Sequence, residues 1–396
     1  MKYSRLILHP HKTASLERQH PWVFSGAISK VEGKLADGDI VELFSSKGQY
    51  LATAHYQSAG SISARVLSFQ QTDIDFNFWV NKISDAYQLR RALGINTKPE
   101  TNAYRLINAE GDGIPGLIAD FYNGTLVIQA HNGGIYRCLP DIVHAFQQVL
   151  GNELKSVYSK SAETLPAALN IANASGHLWG ETKTGEVITE NGSDFWVDWQ
   201  SGQKTGFFLD QRENRLQLAH WANGKKVLNA FCYSGGFSVY ALRAGASLVH
   251  SVDSSAKAIE WTEKNIGLNG DFRGEHQSFT ADVMPFLQES TQSYNLIILD
   301  PPAFAKTIKT KHHAVQGYKR LNAKALKMIE KGGLLLTFSC SAVIDSALFY
   351  DTIRAAAIES GRKIRLVKRL SQAPDHPINI YHPEGEYLKG VCLQIE

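Results

Sequence analysis

The stretch Val227-Leu228-Asn229-Ala230-Phe231-Cys232-Tyr233-Ser234-Gly235-Gly236-Phe237-Ser238 passes from an apolar strand run into a glycine turn and then into a helix pattern. Glycine at such a turn lets a ligand approach the backbone where a strand hands over to a helix. The stretch carries neither G-x-G-x-x-G nor G-x-x-x-x-G-K-[ST], so neither a dinucleotide fingerprint nor a P-loop is the first reading.

Working outward, short apolar runs at 226–230, 248–252, 296–299 and 334–339 alternate with helical patterns at 211–222, 236–244, 255–268, 317–330 and 345–360. Alternating β and α with near-continuous apolar strands predicts a parallel sheet covered on both faces, an α/β domain over 191–396. Residues 1–72 read differently. Alternating runs at 39–44, 50–56 and 62–69, punctuated by Lys47-Gly48 and Gly60-Ser61, predict a small, mostly antiparallel β-barrel. Residues 73–190 predict an α+β middle domain, with helices near 76–93 and 135–150 and strands at 104–108, 117–121, 125–130 and 154–159. The stretch 162–193 has little periodicity and reads as a linker or irregular hairpin.

Several strand ends of the α/β domain carry chemistry. Asp253 lies eighteen residues after Gly235, where a carboxylate can accept both ribose hydroxyls; capping the next helix is the competing role. Asp282, at a further strand end, suits an adenine amine or a solvated loop. Asp300 opens Asp300-Pro301-Pro302-Ala303-Phe304, in which two prolines stiffen the turn behind the carboxylate. Cys340, in Phe338-Ser339-Cys340-Ser341, ends a strand on the same edge; a buried packing role competes with a nucleophilic one. A thiolate and a carboxyl group together suit cytosine C5 chemistry. The thiolate adds at C6, the carboxyl orients the base, and a general base later removes the C5 proton. Asp375, His376 and Glu384, in proline-rich loops, are candidates for that base and equally for structural hydrogen bonding.

Gln203-Lys204-Thr205-Gly206-Phe207-Phe208-Leu209-Asp210-Gln211-Arg212, combined with the Asp300 and Cys340 motifs, resembles the RlmI-type large-subunit ribosomal RNA cytosine-C5 methyltransferases. The resemblance spans the chain. His20-Pro21-Trp22-Val23-Phe24-Ser25-Gly26 with Ser63-Ala64-Arg65-Val66 looks like that family's PUA domain, a small RNA-binding barrel. Asp112-Gly113-Ile114-Pro115-Gly116-Leu117 looks like its middle domain, and Asp375-His376-Pro377, Pro383-Glu384-Gly385 and Tyr387-Leu388-Lys389-Gly390 match its C-terminal pattern. The resemblance implies a Rossmann-like class I methyltransferase domain that uses S-adenosyl-L-methionine. It implies Cys340 as nucleophile and Lys204, Phe207, Asp210, Gln211 and Arg212 as residues that enclose the cofactor. With the readings of the strand ends and loops above, the expected catalytic set is Cys340, Asp300, His376 and Glu384, and the further expected cofactor contacts are Asn229, Phe231, Ser234, Gly235, Asp253, Ser254, Asp282, Val283, Asp300 and Pro301. Ser234 stands where relatives carry Thr.

The chain has 396 residues, 41 basic against 38 acidic, a formal +3 that excludes a polycation. All of the excess lies in residues 1–70, with eight basic and five acidic residues. A second basic segment follows the prolines: Lys306, Lys309, Lys311, Lys319 and Arg320, with His312, His313 and Tyr318 interleaved and no acidic residue from 301 to 320. Next to the catalytic edge it suits phosphate contacts as well as plain solvation. Large-subunit ribosomal RNA is the expected partner, its target base unpaired or flipped, with Phe304 and Tyr318 as stacking or core residues. Cys138, Cys232, Cys340 and Cys392 form no C-x-x-C pair, so no metal is expected. No apolar run spans a membrane and no signal peptide is evident, so a cytoplasmic protein is expected. The apolar middle segment admits a homodimer. Competing functions are an RNA N-methyltransferase, which has no need of Cys340, and a non-catalytic RNA-binding assembly factor.

Overall fold

The computed structural model describes residues 3–305 and 307–396; Lys2 and Lys306 of the basic residues lie outside the described residues. The chain falls into two compact units. The first comprises Met1–Glu186, Val197–Phe207 and Pro374–Gly385, and the second Val187–Trp196, Phe208–Ala373 and Glu386–Glu396.

The first unit begins with strands β1 (Ser4–Leu8), β2 (Trp22–Phe24), β3 (Ile28–Glu32), β4 (Ile40–Phe44), β5 (Tyr50–Tyr56) and β6 (Ile62–Ser68), with a short helix α1 (Ala14–Glu17) after β1. They form a six-stranded sheet in the order β2-β6-β5-β4-β1-β3 around Leu6, Leu8, Val23, Val41, Leu43 and Val66. Pairing is antiparallel except between β1 and β4.

Helix α2 (Phe76–Ala92) follows, started by the Asp75 carboxylate, which accepts the Phe78 N–H at 2.9 Å. Then come β7 (Ala103–Asn108), β8 (Leu117–Tyr122), β9 (Thr125–Ala130), α3 (Gly133–Leu150), β10 (Ser156–Lys160) and β11 (Ser175–Trp179). The five strands form one sheet in the order β11-β10-β9-β8-β7. Asn123 and Gly124 between β8 and β9 both have positive φ, as a two-residue hairpin of right-handed twist requires. Trp79 and Ile83 of α2 and Ile135 and Phe146 of α3 bury against Leu106, Leu117 and Ile128 of this sheet. Strand β11 lies inside the stretch expected to be a linker or irregular hairpin. It is an edge strand with mostly exposed side chains, so no buried face imposed a period on its sequence.

A two-stranded ribbon of β12 (Glu186–Glu190) and β13 (Ser193–Val197) turns at Asn191-Gly192, both of positive φ. The second unit then alternates: α4 (Arg212–Ala222), β14 (Lys226–Ala230), α5 (Gly236–Arg243), β15 (Leu248–Asp253), α6 (Ala256–Leu268), β16 (Glu275–Thr280), α7 (Val283–Glu289), β17 (Tyr294–Leu299), α8 (Lys311–Met328), β18 (Ile329–Ser339), α9 (Ser346–Ser360), β19 (Ile364–Ser371) and β20 (Lys389–Ile395). The seven-stranded sheet has the order β16-β15-β14-β17-β18-β20-β19. Its first five strands are parallel, and β20 runs antiparallel to both β18 and β19. Strand order reverses between β14 and β17, which makes the carboxyl ends of these strands the ligand-binding edge of a Rossmann-like α/β fold. Among the described residues, no helix is long and apolar enough to cross a membrane.

One ion pair ties the ribbon to this sheet unit. Arg215 of α4 donates from Nε and Nη2 to the two carboxylate oxygens of Glu190 at 2.8 and 2.7 Å, with both side chains buried. Arg215 Nη1 donates to the Phe208 carbonyl at 3.0 Å, and the Tyr240 hydroxyl donates to Glu190 Oε1 at 3.0 Å. Removing one member leaves a buried charge without its partner. Glu190→Ala is therefore expected to lower stability by about 3–5 kcal/mol in urea denaturation. A loss below about 1 kcal/mol is the surface-pair result and contradicts the buried geometry.

Candidate active site

The turn after β14 is strained and heavily tied. Phe231, Tyr233 and Gly235 all have positive φ, at 61, 48 and 75°. For Phe and Tyr that conformation is costly and persists only where the surroundings enforce it. Asp253, at the end of β15, accepts the Tyr233 N–H at 3.0 Å with Oδ2 and the Ser255 N–H at 2.9 Å with Oδ1. Thr262 Oγ1 donates to the Tyr233 carbonyl at 2.9 Å, and Asn265 Nδ2 to the Ser234 carbonyl at 2.8 Å. The helix after β15 is capped by Ser255, whose hydroxyl accepts the Ala258 N–H at 3.3 Å, so capping is not what Asp253 does. A Cβ on Gly235 would lie 2.8 Å from Thr262 Cγ2, which leaves glycine as the one residue without a clash.

Asn229 is buried and directs its amide to Ser238 Oγ at 2.8 Å, so its side chain braces the start of α5 from below. Ser254 is exposed beside Asp253, and Ser234 is buried in the turn. Phe231, Asp282 and Val283 line a cavity of about 790 Å³ together with Met284 and Phe304. Asp282 precedes α7 without making a capping hydrogen bond. Glu359, Arg320, Lys324 and Lys327 also line the cavity, so its apolar part is the side formed by Phe231, Val283, Met284 and Phe304. That side, with the exposed Asp282 carboxylate, suits an adenine ring and its amine, and Asp253 at the adjacent strand end suits a ribose. These acceptors and the cavity fit S-adenosylmethionine.

Asp300 ends β17. Gln211 Nε2 donates to its Oδ2 at 3.0 Å, and Gln211 is oriented by Asn214, whose Nδ2 donates to Gln211 Oε1 at 2.6 Å. Asp300 keeps a partly accessible edge but is otherwise enclosed by protein. That desolvation pushes its carboxyl up to about 7, and the neighbouring Asp210 carboxylate adds to the rise against the Gln211 hydrogen bond and Arg215. Asp210 accepts the Tyr387 hydroxyl on Oδ2 at 2.7 Å. Arg212 is buried, with Nε 3.6 Å from Glu213. Pro301 is buried behind Asp300.

Cys340 follows β18 and is half-buried between two fully buried serines. Ser341 Oγ donates to the Ala305 carbonyl at 2.6 Å, which ties the Cys340 segment to the segment after Asp300. Leu299 pairs with Thr337, so Asp300 and Cys340 leave neighbouring parallel strands one and three residues past that level. The structure thus brings Asp300, Asp210, Gln211 and Cys340 to one sheet edge. None of the four cysteines forms a disulfide.

The remaining candidates lie in the first unit. Lys204 is exposed with φ 52°, and Phe207 is buried. His376 is buried with Nδ1 2.9 Å from Asp375 Oδ1, and Asp375 Oδ2 accepts the Arg105 N–H at 3.0 Å. Arg90 donates to the Asp375 carbonyl at 2.7 Å. These bonds give the Asp375-His376 segment a holding role within its unit.

Glu384 sits apart from that set, with His20 Nε2 at 3.3 Å and His382 Nε2 at 3.7 Å. The ligand atoms of these three residues lie within 4.8 Å of one another, a spacing open to a metal. However, His20 Nδ1 accepts the Trp22 N–H at 3.2 Å. Neutral His20 then carries its proton on Nε2 and donates it to Glu384, which leaves no lone pair there for a cation.

Sequence reasoning did not single out Glu190, Arg215, Asn214 or any role for Lys389, the last of which donates to the Ser341 carbonyl at 2.9 Å. A buried-charge pattern was the available signal: Arg212 and Arg215 lie one turn apart on a helix face that is buried. Helix α8 begins at Lys311, six residues before the expected start, so most of the basic stretch is helical. Lys309 is exposed, Lys311 half-buried, and Arg320 lines the cavity, while Lys319 pairs with Glu359 at 2.9 Å. Tyr318 is core, fully buried against Phe304 and Phe349, which excludes the stacking role considered for it.

Comparison with known proteins identifies the family. A family model described as S-adenosylmethionine-dependent methyltransferase matches residues 113–384, and a PUA-like domain model matches residues 6–69. The chain is similar to a protein named Ribosomal RNA large subunit methyltransferase I from Alteromonas mediterranea, 36% identical over 99% of both chains. It is also similar to one of the same name from Aeromonas hydrophila, 38% identical over 96% of both. Among solved structures it resembles a Streptococcus mutans chain named as a SAM-dependent methyltransferase, with TM-score 0.84, 25% identity and coverage of 98% of this chain and 99% of that one. A methyltransferase chain complexed with SAH gives TM-score 0.85 at 25% identity and the same coverage.

Two outcomes follow for the site. The free-chain value of an aspartate is about 3.9. Between there and about 7 the folded chain keeps a proton on Asp300 that the unfolded chain has released. This residue's contribution is therefore most favourable below about pH 4, declines as pH rises to about 7 and is flat above. Thermal melts across that window should show a shallower decline in Asp300→Asn; superimposable slopes contradict the raised value. Gly235→Ala should cost about 1–2 kcal/mol of stability through its left-handed backbone alone. Melts with S-adenosylmethionine should show a smaller ligand-induced rise than in the parent.

Proposed function

The chain belongs to the S-adenosylmethionine-dependent methyltransferase family, and from that premise we propose that it methylates C5 of a cytosine in large-subunit ribosomal RNA, with Cys340 as the attacking thiol. The observation that carries the reading is a half-buried thiol and a carboxyl group of raised pKa on neighbouring strand ends, joined through the Ser341–Ala305 hydrogen bond. Relatives named Ribosomal RNA large subunit methyltransferase I, similar over nearly the whole chain, support the RNA substrate, as does the PUA-like match at 6–69.

The residues divide the work as follows. Asp253 would take the ribose of the cofactor, Phe231, Asp282 and Val283 would hold its adenine, and the Tyr233–Gly235 turn would leave the backbone open to it. Bound S-adenosylmethionine supplies an activated methyl group. The Cys340 thiolate forms a bond to C6 as the C5–C6 π bond opens, and the electron pair is delocalised toward N3 and the ring carbonyl. Asp300, titrating near neutrality, is suited to share a proton with N3 and to accept a hydrogen bond from the exocyclic amine. Once C5 carries the methyl group, a base takes the C5 proton. The C5–C6 double bond re-forms and the C6–S bond breaks, returning the thiolate. Lys309, Lys311 and Arg320 lie along the segment after Asp300-Pro301-Pro302 and suit backbone phosphates. Residues 1–72 are assigned the further RNA contacts of a PUA-like barrel.

Cys340→Ala should reduce methyl transfer to ribosomal RNA by roughly 10³-fold or more while leaving S-adenosylmethionine affinity unchanged in calorimetry. Near-parental activity overturns the covalent step and favours amine methylation at Asp300-Pro301-Pro302. Mass spectrometry of the nucleoside product separates the two directly, because only C5 attack gives 5-methylcytidine.

A further inference from the structure

Lys389 is the first residue of β20 and is almost wholly buried, at 2% exposure. It pairs in register with Ser339 of β18 on one side and with Ser371 of β19 on the other. Its Nζ donates to the Ser341 carbonyl at 2.9 Å, so the amino group is held at the residue that follows Cys340. An ammonium is rarely buried this far without an anionic partner. Among the described residues, Lys389 has no carboxylate within ion-pairing distance. Asp345 uses its carboxylate to cap α9 by accepting the Leu348 N–H at 2.8 Å, and Glu386 accepts the Ser346 hydroxyl at 2.9 Å. Both of these acids are exposed.

We propose that Lys389 is a positioning residue for Cys340: its ammonium, fixed by the Ser341 carbonyl, stabilises the thiolate and sets the direction of the Ser339-Cys340-Ser341 segment. This rests on reading Cys340 as the nucleophile. The electrostatics are mutual. Burial lowers the Lys389 ammonium from its ordinary value, and Cys340, then Glu386 and Asp345, draw it back up. By the same coupling the ammonium favours the ionised thiol. From helix α8, Tyr318 also faces Cys340; burial raises its hydroxyl to about 12, so it stays neutral where the thiol titrates. The arrangement answers a need of the chemistry, since an ordinary thiol near 8.5 is mostly protonated at neutral pH.

The test is the pH dependence of Cys340 alkylation by iodoacetamide in the full chain, read by peptide mass so that the other cysteines do not interfere. The parent, Lys389→Met and Lys389→Arg are compared. In Lys389→Met the alkylation midpoint should rise by about 1–2 pH units, the shift expected for losing one nearby charge. Lys389→Arg, which keeps the charge, should restore most of it. The acid limb of the methyl-transfer profile should move in the same direction, with activity recovering at high pH. Unchanged S-adenosylmethionine affinity shows that the variants are folded. An unmoved midpoint in Lys389→Met, with affinity intact, overturns the proposal whether or not Cys340→Ala is inactive. A shifted midpoint together with a fully active Cys340→Ala supports the coupling and overturns the nucleophile reading instead.

Discussion

One guanidinium, that of Arg215, sets the spacing of the parts that make up the catalytic edge. It is satisfied in a plane by both oxygens of Glu190 and by the Phe208 carbonyl, and its Cδ lies 3.1 Å from where a Gly236 Cβ would stand. A lysine has neither the fork nor the five donors to do this. Burying such a pair gains little net stability against well-packed apolar residues, so its value lies in specifying geometry. Here the geometry specified is that of the ribbon turn, the segment leading to Asp210 and Gln211, and the start of α5 beneath the cofactor turn.

The two acids at this edge show what that fixed geometry does to chemistry. Asp210 and Asp300 are close enough for one charge to raise the other's pKa, but their partners differ. Asp210 receives a Tyr387 hydroxyl, whereas Asp300 receives one amide hydrogen from Gln211 and is otherwise desolvated. Asp300 is thereby the group able to give or take a proton near neutrality. The Gln211 hydrogen bond and, after it, Arg215 oppose the rise at Asp300.

Much of this edge was legible in the sequence because the informative residues sit where apolar runs stop. Asp253, Asp300 and Cys340 each end a run whose core-facing residues reveal the strand, and the glycine turn after β14 names itself. What was hidden follows a physical rule as well. Strands β11 and β19 are exposed over most of their length, so no apolar period marks them. Helix α8 starts inside a basic stretch that resembles a solvated loop. The Glu190–Arg215 pair joins residues from a ribbon and a helix, and its members look like ordinary surface charges until their burial is known. Lys389 was visible as part of a family pattern, but the group it faces depends on the antiparallel register of β20 against β18, which no local pattern encodes.

Asp253 shows how a strained turn and a binding group become one device. Phe231 and Tyr233 hold backbone conformations that cost of order 1–3 kcal/mol each and need outside support. Asp253 supplies part of it through the Tyr233 N–H, while its other oxygen accepts the Ser255 N–H at the start of α6. Each oxygen has a second lone-pair direction, and the carboxylate is half-exposed at the sheet edge. The group assigned to the ribose is therefore locked in rotamer by the turn that it helps to hold. Little side-chain freedom remains to be lost on binding, so the strain in the turn is the counterpart of a preorganised site.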